Sequence, residues 1–72
     1  MLTVEDYQAI TKIGWKRKEH YRVGSDKVVN DEMVTRLLQM GIVRWVSRKQ
    51  RTIVLTRYGR RIFRRLHPYS KQ

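Results

Sequence analysis

The sequence predicts a small α+β domain, with helices at about 4–13, 31–40 and 56–66, a weakly marked second helix within 16–29, and a β-hairpin at about 42–55. Three observations predict it. Apolar residues recur at helical spacing in three stretches, each opened by a side chain able to cap it. Between the last two stretches the pattern changes to two β-branched runs, IVRWV and TIVL, around the polar segment SRKQR. Finally, 72 residues without a cysteine allow neither a disulfide framework nor a thiolate metal site. The fold therefore rests on one core in one domain, placed at 1–66, with 67–72 read as a flexible tail.

Thr3, followed by Asp6 three residues on, resembles a capping box for the first helix. Val4, Tyr7, Ile10 and Ile13 then recur every third residue as its buried stripe, Glu5 and Asp6 suit the positive end of its dipole, and Gly14 reads as its stop. In WKRKEHYRVGSDKVV, residues 15–29, Trp15, Tyr21 and Val23 are expected as core anchors around the basic cluster Lys16, Arg17, Lys18 and Arg22. GSD at 24–26 reads as a turn whose Ser25 or Asp26 caps a short helix through Val28 and Val29. Whether 17–23 is helical or extended stays open. Asn30 caps the next helix, Asp31 and Glu32 occupy its first turn, Met33, Val34, Leu37 and Leu38 form its buried stripe, and Gly41 ends it.

In the hairpin, Ile53 and Leu55 are expected to face inward and Thr52 and Val54 outward. Its loop lacks the Asn-Gly or Asp-Gly signature, which leaves register open. Thr56 caps the last helix. At about 100° per residue, Leu55, Tyr58, Gly59, Ile62, Phe63 and Leu66 fall in one arc. Arg57, Arg60, Arg61, Arg64 and Arg65 fill a second arc that does not overlap it. Like charges so spaced repel one another and no acid lies on that face, so the arginines read as a phosphate track rather than a merely solvated surface. Pro68 closes the helix.

Charge narrows the class of function. Seventeen Lys and Arg against six Asp and Glu give +11, a field that draws polyanions, duplex DNA or structured RNA first among them. Apolar runs no longer than triplets exclude a transmembrane helix, and MLTVEDYQ does not read as a secretory signal. Without cysteine, a reducing cytoplasm is the expected location. His20 and His67 lie far apart with no third partner at ligand spacing, so neither a metal nor a cofactor is expected. No nucleophile stands at suggestive spacing from a base, and Asp31 and Glu32 point about 100° apart on their helix. An enzyme is therefore not expected. Trp15 and Trp45 could stack on bases, but in so short a chain they read as core residues.

Residues 37–59, LLQMGIVRWVSRKQRTIVLTRYG, carry a wider pattern. A helix ending in Leu-x-x-Gly-Ile-Val, a basic hairpin, then Leu-Thr-x-x-Gly-Arg resembles the winged helix-turn-helix of MarR-type and related bacterial or archaeal regulators, over roughly residues 28–63. The resemblance implies that residues 30–40 form a major-groove recognition helix, whose outward polar residues are Thr35, Arg36 and Gln39. It also implies that Arg48, Lys49 and Arg51 form the tip of a wing, and that Arg44 and Arg57 clamp phosphates at its base. Lys16, Arg17 and Lys18 would contact the backbone, while Arg60, Arg61 and Arg64 would extend the footprint or face a second acidic partner. Three departures stand beside this, one of them the poor marking of the helix expected between 15 and 29. The recognition helix opens with Asp31 and Glu32, which repel phosphates, and the long dimerisation helices of the family are absent, so a homodimer would need another surface. The expected function is double-stranded DNA binding by a small transcription regulator or architectural factor, away from membranes. The alternative is a winged-helix adaptor that docks on a protein or ribonucleoprotein machine such as the transcription apparatus.

Overall fold

In the structure, a computed structural model that describes residues 1–16, 20–24 and 26–68, the chain opens with helix α1 (Val4–Trp15). The Thr3 hydroxyl accepts from the Asp6 amide at 3.2 Å and the Asp6 carboxylate accepts from the Thr3 amide at 2.8 Å, closing the reciprocal capping box. There follow β1 (Tyr21–Arg22), α2 (Asp31–Gln39), β2 (Val43–Ser47), β3 (Thr52–Leu55) and α3 (Arg57–Leu66). The three helices and the hairpin lie within a residue or two of the expected ranges. They make a small α+β fold of three helices and a three-stranded antiparallel sheet.

The third strand corrects the reading of 16–29. Among the described residues of that segment no helix forms; Tyr21 pairs with Ile53 and Arg22 with Thr52, giving the strand order β1-β3-β2. The hairpin satisfies only one edge of β3, and the short strand satisfies the other. The Val23 amide extends the pairing by donating to the Arg51 carbonyl at 2.8 Å, with Val23 buried. Asp26 does act as a local cap, accepting from the amides of Val28 (2.7 Å) and Val29 (3.1 Å), but it closes a run of bends at 27–29 and not a helix. Ser25, Arg17 and Lys18 lie outside the described residues, as do 69–72 of the expected tail.

The core gathers Ala9, Ile10 and Ile13 from α1, Val34 and Leu37 from α2, Ile42, Val43, Ile53 and Leu55 from the hairpin region, Phe63 from α3, and Val23 and Val29. Ile53 and Leu55 face inward, with Thr52 and Val54 only half-buried. The buried face of α1 is rotated from the expected stripe. Val4 and Tyr7 are exposed, while Asp6, Ala9, Ile10, Ile13 and Gly14 are buried. The i, i+3, i+4, i+7 set at 6, 9, 10 and 13 keeps to one face, whereas a strict three-residue repeat drifts around a 3.6-residue helix. Asp6 belongs to that face because its charge is paired.

Gly14 is likewise not the stop. The helix runs on to Trp15 with Lys16 as C-cap. A Cβ at Gly14 would fall on the ring of Phe63, 2.8 Å from its Cγ, so the glycine marks close packing of α3 on α1. Phe63 is fully buried, whereas Trp15, expected as a core anchor, is not. The tryptophan is 56% exposed and stands edge-on to Phe63, with ring centroids 5.3 Å apart. Tyr21, also expected as a core anchor, is half-buried, and on the apolar arc of α3 both Tyr58 and Leu66 are exposed.

α2 begins as expected, with Asn30 Oδ1 accepting from the Met33 amide at 2.9 Å. It ends in a Schellman motif: Ile42 N donates to Leu37 O (2.9 Å) and Gly41 N to Leu38 O (3.1 Å). The turn needs φ +71° at residue 41, which glycine adopts without strain. Thr56 then ties α3 to this corner. Its amide donates to Ile42 O (2.9 Å), and its hydroxyl donates to Gly41 O (2.6 Å) while accepting from Gly59 N (3.1 Å). Gly59 has no Cβ because the Ile42 carbonyl occupies that space. The Gly-Ile and Leu-Thr-x-x-Gly signals are thus two halves of one joint.

Candidate nucleic-acid interface

The hairpin turn at 48–51 presents Arg48, Lys49, Gln50 and Arg51, all exposed. Ser47 Oγ accepts from Gln50 N at 3.1 Å, and Arg51 N donates to Arg48 O at 3.3 Å. A register shift between Trp45 and Ser47 accommodates the extra residue Val46. Arg51, at φ 56°, closes the turn in the left-handed region. Its Nη2 donates to Asp31 Oδ1 in the first turn of α2, and its guanidinium lies 6.0 Å from the centroid of the Trp45 ring. Trp45 is half-buried opposite Ile53 and packs against the core. One arginine therefore fastens the hairpin to the start of α2 and offsets one of the two acids there.

On α2, Thr35 and Gln39 are exposed. Arg36 is committed elsewhere. Its Nε donates to Asp6 Oδ1 and Oδ2 (2.9 and 3.1 Å), and its Nη2 donates to Asp6 Oδ2 (3.0 Å) and to the Met1 carbonyl (3.3 Å). The guanidinium holds the Asp6 carboxyl below its ordinary value against the opposing effect of burial, assisted by the Thr3 amide. The carboxylate in turn raises the Arg36 pKa. Sequence reasoning missed this pair because its partners sit on different helices, with no local signal joining them.

A second missed pair is Lys12 with Asp26, at 2.8 Å. Lys12, together with the amides of Val29 and Val28, holds Asp26 far below the usual carboxylate range, and burial followed by Asp26 raises Tyr21. Asp6, Asp26 and Asp31 are thus each neutralised by a nearby cation. The described ion pairs use none of Arg44, Arg48, Lys49 or the arginines of α3.

Arg44 is exposed on β2 opposite Val54, and Arg57 is exposed at the first position of α3. Lys16 is exposed at the C-cap of α1. Arg57, Arg61, Arg64 and Arg65 line one open depression of about 430 Å³, with Arg60 exposed on the same helix. Apart from Lys16, the basic side chains named here fall into a hairpin group and an α3 group, and every residue lining the depression belongs to α3. Among the described residues no three of His, Asp and Glu gather at metal-binding spacing, and no helix is long and apolar enough to cross a membrane. The chain matches no protein-family model, and comparison with curated proteins and with solved structures gives no match.

Proposed function

We propose that this chain is a small winged helix-turn-helix protein that binds double-stranded DNA, as a transcription regulator or architectural factor. The observation that carries the reading is the Arg51 bridge. It joins a hairpin whose turn holds Arg48 and Lys49 to the start of α2, and it offsets the charge of Asp31 where phosphate would approach. The order helix, strand, helix, hairpin, helix, with β3 central in the sheet, is compatible with a winged helix. The reading rests on the hairpin and α2 rather than on a two-helix unit, since bends occupy 27–29.

On this reading Arg48 and Lys49 enter the minor groove or follow its phosphates, where a narrow groove concentrates negative potential. Thr35 and Gln39 are the side chains α2 offers to base edges, while Arg36 serves the fold. Arg44, Arg57 and Lys16 contact phosphates, and the α3 arginines supply a further anionic site. With about six phosphates neutralised, log K falls with log salt at a slope near −5.

The test is a set of fluorescence anisotropy titrations with a random-sequence duplex, a single strand and a structured RNA at several salt concentrations. Preference for the duplex with a steep salt slope is the expected result. Equal, weak retention of all three would reduce the charge to a generic attractor and remove the reading.

A further inference from the structure

Between α1 and α3 runs an open groove of apolar side chains. Leu2, Tyr7, Tyr58, Ile62 and Leu66 line it, and Arg61 and Arg65 stand along its α3 side. Through Tyr7 and Leu66 it continues into a second depression that includes Val4. These are not scattered surface residues. Val4 is 68% exposed and Tyr58 51%, in a chain whose mean hydropathy is −0.67. A contiguous apolar patch on so polar a protein marks a contact surface.

We propose that this groove docks an acidic amphipathic helix from a partner protein. Two helix walls with aromatic and aliphatic lining suit apolar side chains repeating at i, i+3, i+4 and i+7. Carboxylates on the flank of such a helix would meet Arg61 and Arg65, in charge-assisted pairs that guanidinium forks form best. The sequence of α3 contains no acid, and no described ion pair uses its arginines. Their charge is therefore available to an acidic partner.

The same charges argue against the other occupants. A two-fold dimer through this groove would bring Arg61 and Arg65 of both copies into one interface whose lining holds no acid, in a chain already at +11. A phosphate backbone would satisfy the arginines and leave Val4, Ile62 and Leu66 in water, because aliphatic side chains offer bases no stacking face. An acidic amphipathic helix satisfies both kinds of residue. The inference does not depend on DNA binding by the hairpin.

The experiment uses the full chain, isotopically labelled, and a synthetic helical peptide of about four turns with leucines at i, i+3, i+4 and i+7 and glutamates between them. A scrambled peptide of identical composition is the control, both at physiological salt. The expected result is binding at least about tenfold tighter than the scrambled control, with NMR shift changes clustered at Val4, Tyr7, Tyr58, Ile62 and Leu66. Tyr58→Ser, and separately Val4→Ser, should weaken binding several-fold while leaving the thermal midpoint near that of the parent, because both side chains are largely exposed. Joint Arg61→Glu and Arg65→Glu should abolish it. Equal binding of the scrambled peptide, shifts confined to the hairpin, or a dimer by ultracentrifugation that Tyr58→Ser dissociates would each overturn the proposal.

Discussion

Arg36 of α2 grips both carboxylate oxygens of Asp6 on α1, with Nε at 2.9 and 3.1 Å and Nη2 at 3.0 Å. Asp6 is fully buried and also accepts from the Thr3 amide, so one side chain caps α1 and ties it to α2. Asp6→Ala removes both and leaves the Thr3 amide without its acceptor. We expect a loss of about 2 kcal/mol, or roughly 10 °C in Tm, read by urea and thermal unfolding. Arg36→Ala should also destabilise the fold, and Arg36→Lys should recover only part of the loss because an ammonium lacks the two-pronged geometry. An Arg36→Ala protein that melts like the parent but binds DNA less well would return Arg36 to the recognition surface.

The pH dependence of stability follows from the same pair. The folded-state pKa of Asp6 lies below its ordinary value of 3.8, chiefly through Arg36. The unfolded chain therefore takes up the proton first as pH falls. The stabilisation is fully present above about pH 5 and is lost on acidification through the unfolded value and then the folded one. The thermal midpoint of the parent should decline below about pH 4 more steeply than that of Asp6→Asn, measured by circular dichroism at constant ionic strength.

Two glycines should resist the smallest side chain. At Gly59 an added Cβ meets the backbone carbonyl of Ile42, and at Gly14 it meets the ring of the fully buried Phe63. Alanine ordinarily gains about 1 kcal/mol over glycine inside a helix. Here overpacking, typically about 1–3 kcal/mol, opposes that gain, and a backbone carbonyl yields less readily than a side chain. Gly59→Ala should therefore be net destabilising and the worse of the two. A Gly59→Ala protein with a raised urea midpoint would show that the joint between Ile42 and α3 is looser than its geometry.

In the hairpin, Arg48→Ala and Lys49→Ala should each flatten the salt slope of duplex binding by about 0.9 without changing stability. Arg51 behaves differently, because at φ 56° it occupies a conformation that glycine adopts more easily. Arg51→Gly should keep the fold and weaken binding, both by losing a cation and by exposing the charge of Asp31. In an Asp31→Asn background the Arg51→Gly change should then cost less affinity. If the two substitutions are additive in anisotropy titrations, the bridge between hairpin and α2 plays no part in binding.

What could be read from the sequence was what is decided within a few residues. Thr3, Asn30 and Thr56 announce their helices because a cap and the amide it satisfies lie three positions apart. Gly41 announces a stop because the Schellman turn is equally local. β1 was not legible, since a two-residue strand exists only where β3 offers it an edge. Gly14 misleads for a related reason: a glycine near a helix end looks the same whether it ends the helix or admits a ring, and here the ring comes from Phe63 on α3. At the candidate site the basic composition of hairpin and α3 was plain. The withdrawal of Arg36 into the fold and the exposure of Tyr7 and Tyr58 depend on how the helices pack, and no spacing encodes that.

The two tryptophans offer a way to locate a bound duplex. Trp45 lies in the middle of β2 beneath the Arg51 guanidinium, half-buried, whereas Trp15 is largely exposed at the end of α1, edge-on to Phe63. Acrylamide should quench Trp15 more strongly than Trp45, as seen in the single-tryptophan variants Trp45→Phe and Trp15→Phe respectively. Loss of Trp15 should also be mild beside loss of Phe63, whose full burial puts Phe63→Ala at about 3–5 kcal/mol. On titration with duplex, emission from Trp45 should change, because phosphate drawn to Arg48 and Lys49 perturbs the guanidinium above its ring. Emission from Trp15 should stay constant. If Trp15 responds and Trp45 does not, the duplex sits against α1 and α3, and the arginines of α3 take over the role assigned to the hairpin.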